Sequence, residues 1–255
     1  MSPCRTFQAD QLAVRVYTSQ AEMSTDVAQI VHDHFIATIN ERGSAAAIMA
    51  TGNSQIQFLE KLVALGGVDW SKVTLFHMDE YLGINGEHPA SFRRYMRERV
   101  ESQVGPRVFH YLTGEADLPL DECARYTGLL RAQPIDLCCL GIGENGHLAF
   151  NDPHVANLDD PHWVKLVRLD DACKMQQVNE KHWPSLDAVP PYAYTLTIPA
   201  LLSATKVICV APEKRKAKAV KATLRGPVTA ACPASALRNT PQATLFLDED
   251  STALL

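Results

Sequence analysis

The stretch IDLCCLGIGENGHLAFNDP, residues 135–153, joins an apolar run to a glycine-rich loop. The run Ile135–Leu140 has the length and apolar character of a strand that is buried on both faces, as strands of parallel sheets are. The three glycines that follow, Gly141, Gly143 and Gly146, let the backbone fold closely around a small ligand. The stretch therefore predicts a parallel strand with a ligand site at its carboxyl end.

Apolar runs rich in Val, Ile and Leu alternate with helical patterns along the rest of the chain, which predicts strands joined by crossover helices. The predicted strands are Leu12–Tyr17, Ala45–Ala50, Val73–Phe76, Ile135–Leu140, Trp163–Leu169, Tyr194–Ile198, Val207–Ala211 and Thr244–Leu247. The predicted helices are one from the capping residues Ser24–Asp26 to a stop at Gly43, then Gln55–Leu65, Ser91–Val100, Asp121–Arg131 and Lys214–Leu224. This order predicts an α/β fold, a Rossmann-like doubly wound and mostly parallel sheet with helices on both faces.

One domain over residues 1–255 is the expectation for a chain of this length. Within it, Lys174–Pro191 has weak periodicity and contains Pro184, Pro190 and Pro191. We expect this segment to be a mobile lid or an irregular excursion.

The composition excludes several classes of protein. The 255 residues are 46% hydrophobic and 21% charged, as in compact globular chains, and the net charge of −5 gives little electrostatic support for binding nucleic acid. No apolar run approaches the length of a membrane span, and the N-terminus has no signal or transit pattern, so we expect a cytoplasmic protein without a membrane partner. The adjacent Cys138 and Cys139 should point to opposite faces of a strand, so the seven cysteines predict neither a disulfide framework nor a metal site.

An anion site is predicted where Thr51-Gly52-Asn53-Ser54 joins a strand to a helix. Backbone N–H groups at a helix N-terminus, with nearby hydroxyls, bind anions such as phosphate, although an ordinary capped turn is the alternative. Lys216 begins another helix and is placed to reach the same anion. The other basic residues of that helix are expected to be a solvated face.

Two adjacent acids, Asp79 and Glu80, follow the strand Val73–Phe76. We expect one of them to be solvated and the other to face the cleft with a raised pKa, as a general base requires. The alternative is structural, with a carboxylate that caps the next turn or pairs with Arg93 or Arg94.

His147 lies in the glycine-rich loop and is the second acid–base candidate, because imidazole titrates near neutral pH. Asp152 follows five residues later and is placed to orient the imidazole, with Asn145 beside them. A lone histidine is usually structural, so this neighbourhood is what favours a functional role.

Taken in this order, these segments resemble the glucosamine-6-phosphate deaminase (isomerase) family, which is related to 6-phosphogluconolactonases. The most specific parts are MDEYLGI at 78–84, HPASF at 88–92 and LGIGENGHLAFNDP at 140–153, in which Tyr81 and Leu148–Asn151 match the deaminase branch. The resemblance implies a Rossmann-like fold. It also implies conversion of glucosamine 6-phosphate and water to fructose 6-phosphate and ammonia, without a metal or an organic cofactor.

The resemblance further implies roles for individual residues. Asp79 falls on the base that moves a proton between C2 and C1, and His147 on the group that opens the sugar ring, while Asn145 and Asp152 support the histidine. The implied phosphate site is Thr51, Gly52, Asn53, Ser54 and Lys216, and further substrate contacts are expected from Glu80, Gly141, Gly143, Gly146 and Ala149. Relatives that place a lid arginine on the phosphate have Gln176 or Gln177 in its place here.

Two other functions stay open on the sequence alone. One is a related sugar-phosphate isomerase or a 6-phosphogluconolactonase-like hydrolase whose substrate lacks the 2-amino group, and ammonia release from glucosamine 6-phosphate separates it from a deaminase. The other is a non-catalytic sugar-phosphate sensor, which the presence of both Asp79 and His147 disfavours. The oligomeric state, a homo-oligomer included, is left open.

Overall fold

The computed structural model describes residues 2–255, which form two β-sheets. The strands are β1 (Arg5–Ala9), β2 (Leu12–Tyr17), β3 (Ala45–Met49), β4 (Val73–His77), β5 (Asp79–Tyr81), β6 (Val108–His110), β7 (Leu137–Gly141), β8 (Val164–Arg168), β9 (Tyr192–Leu196), β10 (Lys206–Val210) and β11 (Ala243–Asp248). The main sheet has eight strands in the order β1-β2-β11-β10-β7-β3-β4-β6, and it is parallel apart from β1. The small sheet is antiparallel, in the order β5-β9-β8.

Helices cover both faces of the main sheet. They are α1 (Gln20–Arg42), α2 (Ile56–Leu65), α3 (Phe92–Met96), α4 (Ser102–Val104), α5 (Pro119–Arg131), α6 (Asp171–Asn179), α7 (Ile198–Leu202) and α8 (Ala217–Arg225), with a π-helical turn, Arg97–Glu101, between α3 and α4. Shorter 3₁₀ turns are Asn53–Gln55, Trp70–Lys72, Leu186–Ala188, Lys214–Lys216, Pro233–Asn239 and Asp250–Thr252. Helix α1 begins before the predicted cap because Ser19, not Ser24, accepts the N–H of Glu22, and it ends as predicted at Gly43.

The core has one apolar cluster on each face of the main sheet. One cluster packs α5, α7 and α8 against the sheet, and the other packs α1 and α2 against the opposite face. Cys138 belongs to the first and Cys139 to the second, so the two side chains do point to opposite faces. The predicted α/β architecture is confirmed.

The structure corrects several local predictions. Trp163–Leu169 and Tyr194–Ile198 are not strands of the parallel sheet but form β8 and β9 of the small sheet, and Ile198 already starts α7. Strands β1, β5 and β6 were not predicted. The predicted lid or irregular excursion is helical in its first part, because α6 extends to Asn179, and irregular beyond it apart from one 3₁₀ turn.

The two sheets meet at a single residue of the chain, since β4 ends at His77 and β5 begins at Asp79, with only Met78 between them. This junction carries Asp79 from the carboxyl edge of the main sheet onto the small one. A third apolar cluster surrounds the small sheet and includes Phe92, Phe150 and Trp183. Across residues 2–255, no helix combines the length and the apolar character needed to cross a membrane.

Candidate active site

A cavity that opens to solvent lies at the carboxyl ends of β3, β4, β7 and β10. The predicted site residues that line it are Thr51, Gly52, Asn53, Ser54, Asp79, Gly141, Gly143, His147, Ala149 and Lys216. The remaining lining residues are Ala50, Met78, Phe92, Ile142, Phe150, Gln176, Gln177, Glu180 and His182. Residues from segments far apart in the chain therefore share one site at the edge where ligands bind in parallel sheets.

Asp79 is the carboxyl group of this cavity. It is only 6% exposed, and its Oδ1 has no hydrogen-bond partner among the described residues. Burial, together with the charge of Glu80, raises the pKa of Asp79 well above its usual range. The group is therefore a stronger base than an ordinary carboxylate whenever it is ionised.

Glu80 is not among the residues that line the cavity, so its contact with a substrate stays a prediction, and neither acid of the pair is solvated. Its carboxylate accepts the Ser91 hydroxyl at 2.7 Å and the backbone N–H groups of Phe92 and Arg93 at 3.2 and 3.1 Å, and it pairs with the Arg93 guanidinium at 3.4 Å. These contacts match the structural role that the sequence left open for one of the two acids, a carboxylate that caps the next turn or pairs with Arg93. The buried charge of Glu80 is fully partnered, and that of Asp79 is not.

His147 forms a pair with Asp152, since its Nδ1 lies 3.0 Å from Asp152 Oδ1, although the angle is poor for a hydrogen bond. Asn145 holds both residues, because its Nδ2 donates to Asp152 Oδ1 at 2.9 Å and its Oδ1 accepts the N–H of His147 at 3.0 Å. Asn145 and Asp152 do not themselves line the cavity. Burial raises the pKa of Asp152, but His147 and Asn145 outweigh it, so the pKa lies below its usual range and the carboxylate is charged.

The loop that carries this pair is fixed to the small sheet. The Thr195 hydroxyl of β9 accepts the N–H of Phe150 at 3.1 Å, and the Asn151 amide donates to the carbonyl of Leu196 at 2.8 Å. Asn151 and Asp152 are fully buried. The small sheet thus carries Asp79 and also holds the far end of the loop that carries His147.

Two glycines of the loop, Gly143 and Gly146, are needed for different structural reasons. A Cβ at Gly143 would lie 2.1 Å from His147 Nε2, so the bare backbone is what makes room for the imidazole ring. Gly146 has a φ of 87° and packs against Cys232, where a Cβ would lie 2.9 Å from the sulfur. Gly146 is not among the residues that line the cavity, so its contact with a substrate stays a prediction.

The part of the cavity lined by Thr51–Ser54 has the features of an anion site. No side chain caps the turn at Asn53–Gln55, which leads into α2, and Gly52 at its start has a φ of 104°. The turn is held by the Tyr95 hydroxyl, which donates to the Gly52 carbonyl at 2.9 Å. The alternative of an ordinary side-chain-capped turn therefore does not describe it, and the N-terminus of the helix faces the cavity uncapped.

Lys216 is a cation that lines the same cavity. It is 3% exposed, and burial, with the charge of Arg215 adding to it, lowers its pKa to about 8. Within residues 2–255, no carboxylate oxygen lies within 4.0 Å of its ammonium group. The Lys216 ammonium group therefore forms no ion pair within the described residues and is available to bind an anion.

Part of the lid segment closes one side of the cavity. Glu180 accepts the Arg215 guanidinium at 2.5 Å and the Gln176 amide at 3.0 Å, and Arg215 also pairs with Glu144 at 3.2 Å. Burial raises the pKa of Glu180, yet His182 and Arg215 outweigh it and hold the pKa at about 2. These contacts fasten α6 and the residues after it to the glycine-rich loop.

The lining residues that sequence reasoning missed fall into two groups. One group is apolar. Its members Ala50, Met78, Ile142 and Phe150 lie within three positions of predicted site residues, and that adjacency was their signal, whereas Phe92 lies far from Asp79 and His147 in the sequence and had none. Glu180 and His182 lie in the predicted lid, where their polar character amid prolines gave no sign of a fixed position. Gln176 and Gln177, which were singled out as the replacements of a lid arginine, do line the cavity.

A buried carboxyl group, a histidine–carboxylate pair and an uncapped helix N-terminus, gathered at the carboxyl edge of a parallel sheet, define an α/β enzyme that acts by acid–base chemistry on a small molecule. Residues 18–246 match the family of glucosamine-6-phosphate isomerases and 6-phosphogluconolactonases. The chain belongs to this family.

Relatives of known name agree with the match. A glucosamine-6-phosphate deaminase of Listeria innocua is 36% identical over 207 residues, covering 81% of this chain and 86% of the relative. One of Cellvibrio japonicus is 34% identical over 237 residues, covering 90% and 88%.

Solved structures show the same fold. A monomeric glucosamine-6-phosphate deaminase superposes with a TM-score of 0.87 at 29% identity, covering 95% of this chain and 99% of that one. A 6-phosphogluconolactonase from Shewanella baltica superposes with a TM-score of 0.79 at 17% identity, covering 95% and 100%, which at that identity is a likeness of fold alone.

Proposed function

We propose that this protein converts glucosamine 6-phosphate and water to fructose 6-phosphate and ammonia. The observation that carries the proposal is the shared cavity, which is lined by the unpartnered carboxyl of Asp79, by His147 with Asp152 behind it, and by the Thr51–Ser54 turn with Lys216. The relatives of the deaminase branch support the same reaction. In this proposal the residues named here carry out the reaction without a metal ion or an organic cofactor.

The acid–base groups divide the reaction between them. His147 transfers the proton of the C1 hydroxyl to the ring oxygen as the sugar opens, and Asp152 and Asn145 hold the imidazole in place for that transfer. Asp79 then takes the proton from C2 and returns it to C1, while one proton of the amino group passes to the C1 oxygen, so that the aldehyde becomes an alcohol and the amine becomes an imine at C2. Water adds to the imine carbon, the proton of the new hydroxyl passes to nitrogen, and the C–N bond breaks to release ammonia and leave the ketone.

The environment of Asp79 suits this second role. A carboxylate with an ordinary pKa is a weak base at neutral pH, and the raised pKa of Asp79 strengthens it. The neighbouring Glu80 contributes to that shift through its charge, while its own partners hold its carboxylate in place. One acid of the pair therefore tunes the other.

The phosphate is held at Thr51–Ser54 and Lys216 in this proposal. Glu180 also lines the cavity, and an ionised carboxylate would repel a phosphate. Arg215 offsets that charge, because its guanidinium lies against the Glu180 carboxylate. The free charge of Lys216 is thus left for the ligand. In this proposal residues 174–191 act as the lid, which opens to admit the substrate.

Ammonia release from glucosamine 6-phosphate by the purified protein, coupled to detection of fructose 6-phosphate, is the direct test. The Asp79→Asn variant should retain substrate binding but lose at least about 100-fold in turnover, the low end of the contribution of a general base. Hydrolysis of 6-phosphogluconolactone without ammonia release would overturn the deaminase assignment. Turnover of the variant close to that of the unmodified protein would move the base to another residue.

A further inference from the structure

A cluster of three chemically different donors lies behind the wall of the cavity. The ligand atoms of His147, Asp152 and Cys173 lie within 4.8 Å of one another, and all three side chains are buried. They come from the glycine-rich loop, its far end and the first turn of α6. Cys173 is a free thiol, and the deamination assigned above gives it no role.

Asp152 Oδ2 is fully buried and accepts no hydrogen bond of regular geometry among residues 2–255, and the Cys173 thiol interacts with this carboxylate. His147 Nδ1 lies 3.0 Å from Asp152 Oδ1, so a metal ion would reach it by separating that pair. A buried carboxylate oxygen beside a thiol is a position that a cation can take when the thiol loses its proton.

The charge around the cluster is negative. Asp152 pairs only with His147 at 3.0 Å, and the nearby Asp170 has only His154 at 3.9 Å, among the ion pairs of the described chain. No Lys or Arg nitrogen in residues 2–255 lies within 4.0 Å of either carboxylate. A cation placed between these groups would be stabilised by both.

The donor set selects the cation. A thiolate, an imidazole and a carboxylate suit Zn²⁺, whose bonds of about 2.0–2.3 Å place tetrahedral donors roughly 3.3–3.8 Å apart. Small side-chain shifts bring the cluster to that spacing from its present limit of 4.8 Å. Mg²⁺ and Ca²⁺ prefer sites made of oxygen alone, so they fit poorly here.

We propose that His147, Asp152 and Cys173 form an inhibitory site for Zn²⁺. The Cys173 thiol loses its proton to the solvent as the sulfur–zinc bond forms, so the step involves no change of oxidation state. Zinc takes His147 Nδ1, the atom that faces Asp152, and the pair that supports ring opening is lost. The binding part of this inference stands on the cluster, and the inhibitory part rests on the proposed deaminase function.

Zinc binding is measured on the full-length protein, treated with a chelator and dialysed, by competition with a chromophoric zinc indicator. We expect one bound Zn²⁺ per chain and a loss of affinity of at least about tenfold in Cys173→Ser, since even outer partners of metal ligands contribute that much. Cys4→Ser removes an exposed thiol and is the matched control, with affinity unchanged. Equal zinc affinity in Cys173→Ser and the unmodified protein would overturn the site.

Two further measurements keep the test decisive. If Cys173→Ser does not fold, Co²⁺ is added to the unmodified protein, where a thiolate-to-metal charge-transfer band supports the site and its absence rejects it. In the ammonia assay, Zn²⁺ but not Mg²⁺ should inhibit, a chelator should restore activity, and Cys173→Ser should resist inhibition relative to its own metal-free rate. Zinc binding without any ammonia release in metal-free protein would retain the site and reject the deaminase function instead.

Discussion

The Gly143→Ala variant tests whether the position of the His147 ring controls the reaction. The backbone at Gly143 is outside the left-handed region, so alanine introduces no backbone strain there. Its Cβ would lie 2.1 Å from Nε2 and 2.2 Å from Cε1 of His147. Non-bonded heavy atoms rest about 3.5 Å apart, so the ring must retreat by more than about 1 Å.

The expected loss follows from that displacement. A misplacement of about 1 Å in a catalytic group can cost about 100-fold in rate, which corresponds to about 2.7 kcal/mol in the activation free energy. We therefore expect kcat/KM for ammonia release to fall by about this factor, while the melting temperature changes little. Adding Gly143→Ala to His147→Gln should cost almost nothing further, because the ring it displaces is gone.

Gly128→Ala is the matched control. Gly128 is exposed on α5, and a Cβ there meets nothing within 4 Å. Activity should be unchanged and the free energy of unfolding should rise by about 0.5–1 kcal/mol, since alanine is favoured over glycine in a helix. A folded Gly143→Ala protein with normal kcat/KM would refute the claim that the ring position of His147 matters.

Three other predictions concern charge. Lys216→Ala should weaken binding of a sugar 6-phosphate by about 1.5–3 kcal/mol and scarcely affect binding of the unphosphorylated sugar. Because the pKa of Lys216 is about 8, the affinity of the unmodified protein for the sugar 6-phosphate should decline as the pH rises through that value. Calorimetric titration at several pH values checks both expectations. Arg215→Gln removes the partner of Glu180 and should speed proteolytic cleavage within residues 180–191, whereas an unchanged cleavage rate would show that Arg215 does not hold the lid. Asp79→Asn should raise the free energy of unfolding at pH 8 but not near pH 4, because a carboxyl whose folded pKa is raised loses stability as the pH climbs through that pKa. Denaturant melts at the two pH values measure this difference, and equal differences at both would contradict it.

The sequence predicted the main sheet well because long, strongly apolar runs mark strands that are buried on both faces. It did not predict β5, whose three residues Asp79–Tyr81 are too short and polar to show a period. It also missed α6, since the run DACKMQQVN has little apolar patterning and its start depends on Asp170, which accepts the N–H of Cys173 at 2.6 Å. That the whole of residues 1–255 forms one domain stays a prediction.

The candidate site was predictable where a residue follows directly from its own strand, as Asp79 and His147 do. The expectation that one acid of the Asp79–Glu80 pair is solvated was wrong, because Ser91 and the start of α3 supply partners for the buried Glu80 carboxylate and the sequence does not place them beside it. Glu180 and Arg215 are 35 residues apart, and their pairing depends on how the lid folds back. Contacts of this kind are set by tertiary packing and have no local signature.

The junction at Met78 divides the candidate site between two sheets. Asp79 belongs to the small sheet, whereas Thr51–Ser54, His147 and Lys216 follow strands of the main sheet. Any substitution that shifts the small sheet against the main one therefore moves Asp79 relative to the residues that follow β3, β7 and β10, even where both sheets keep their own structure.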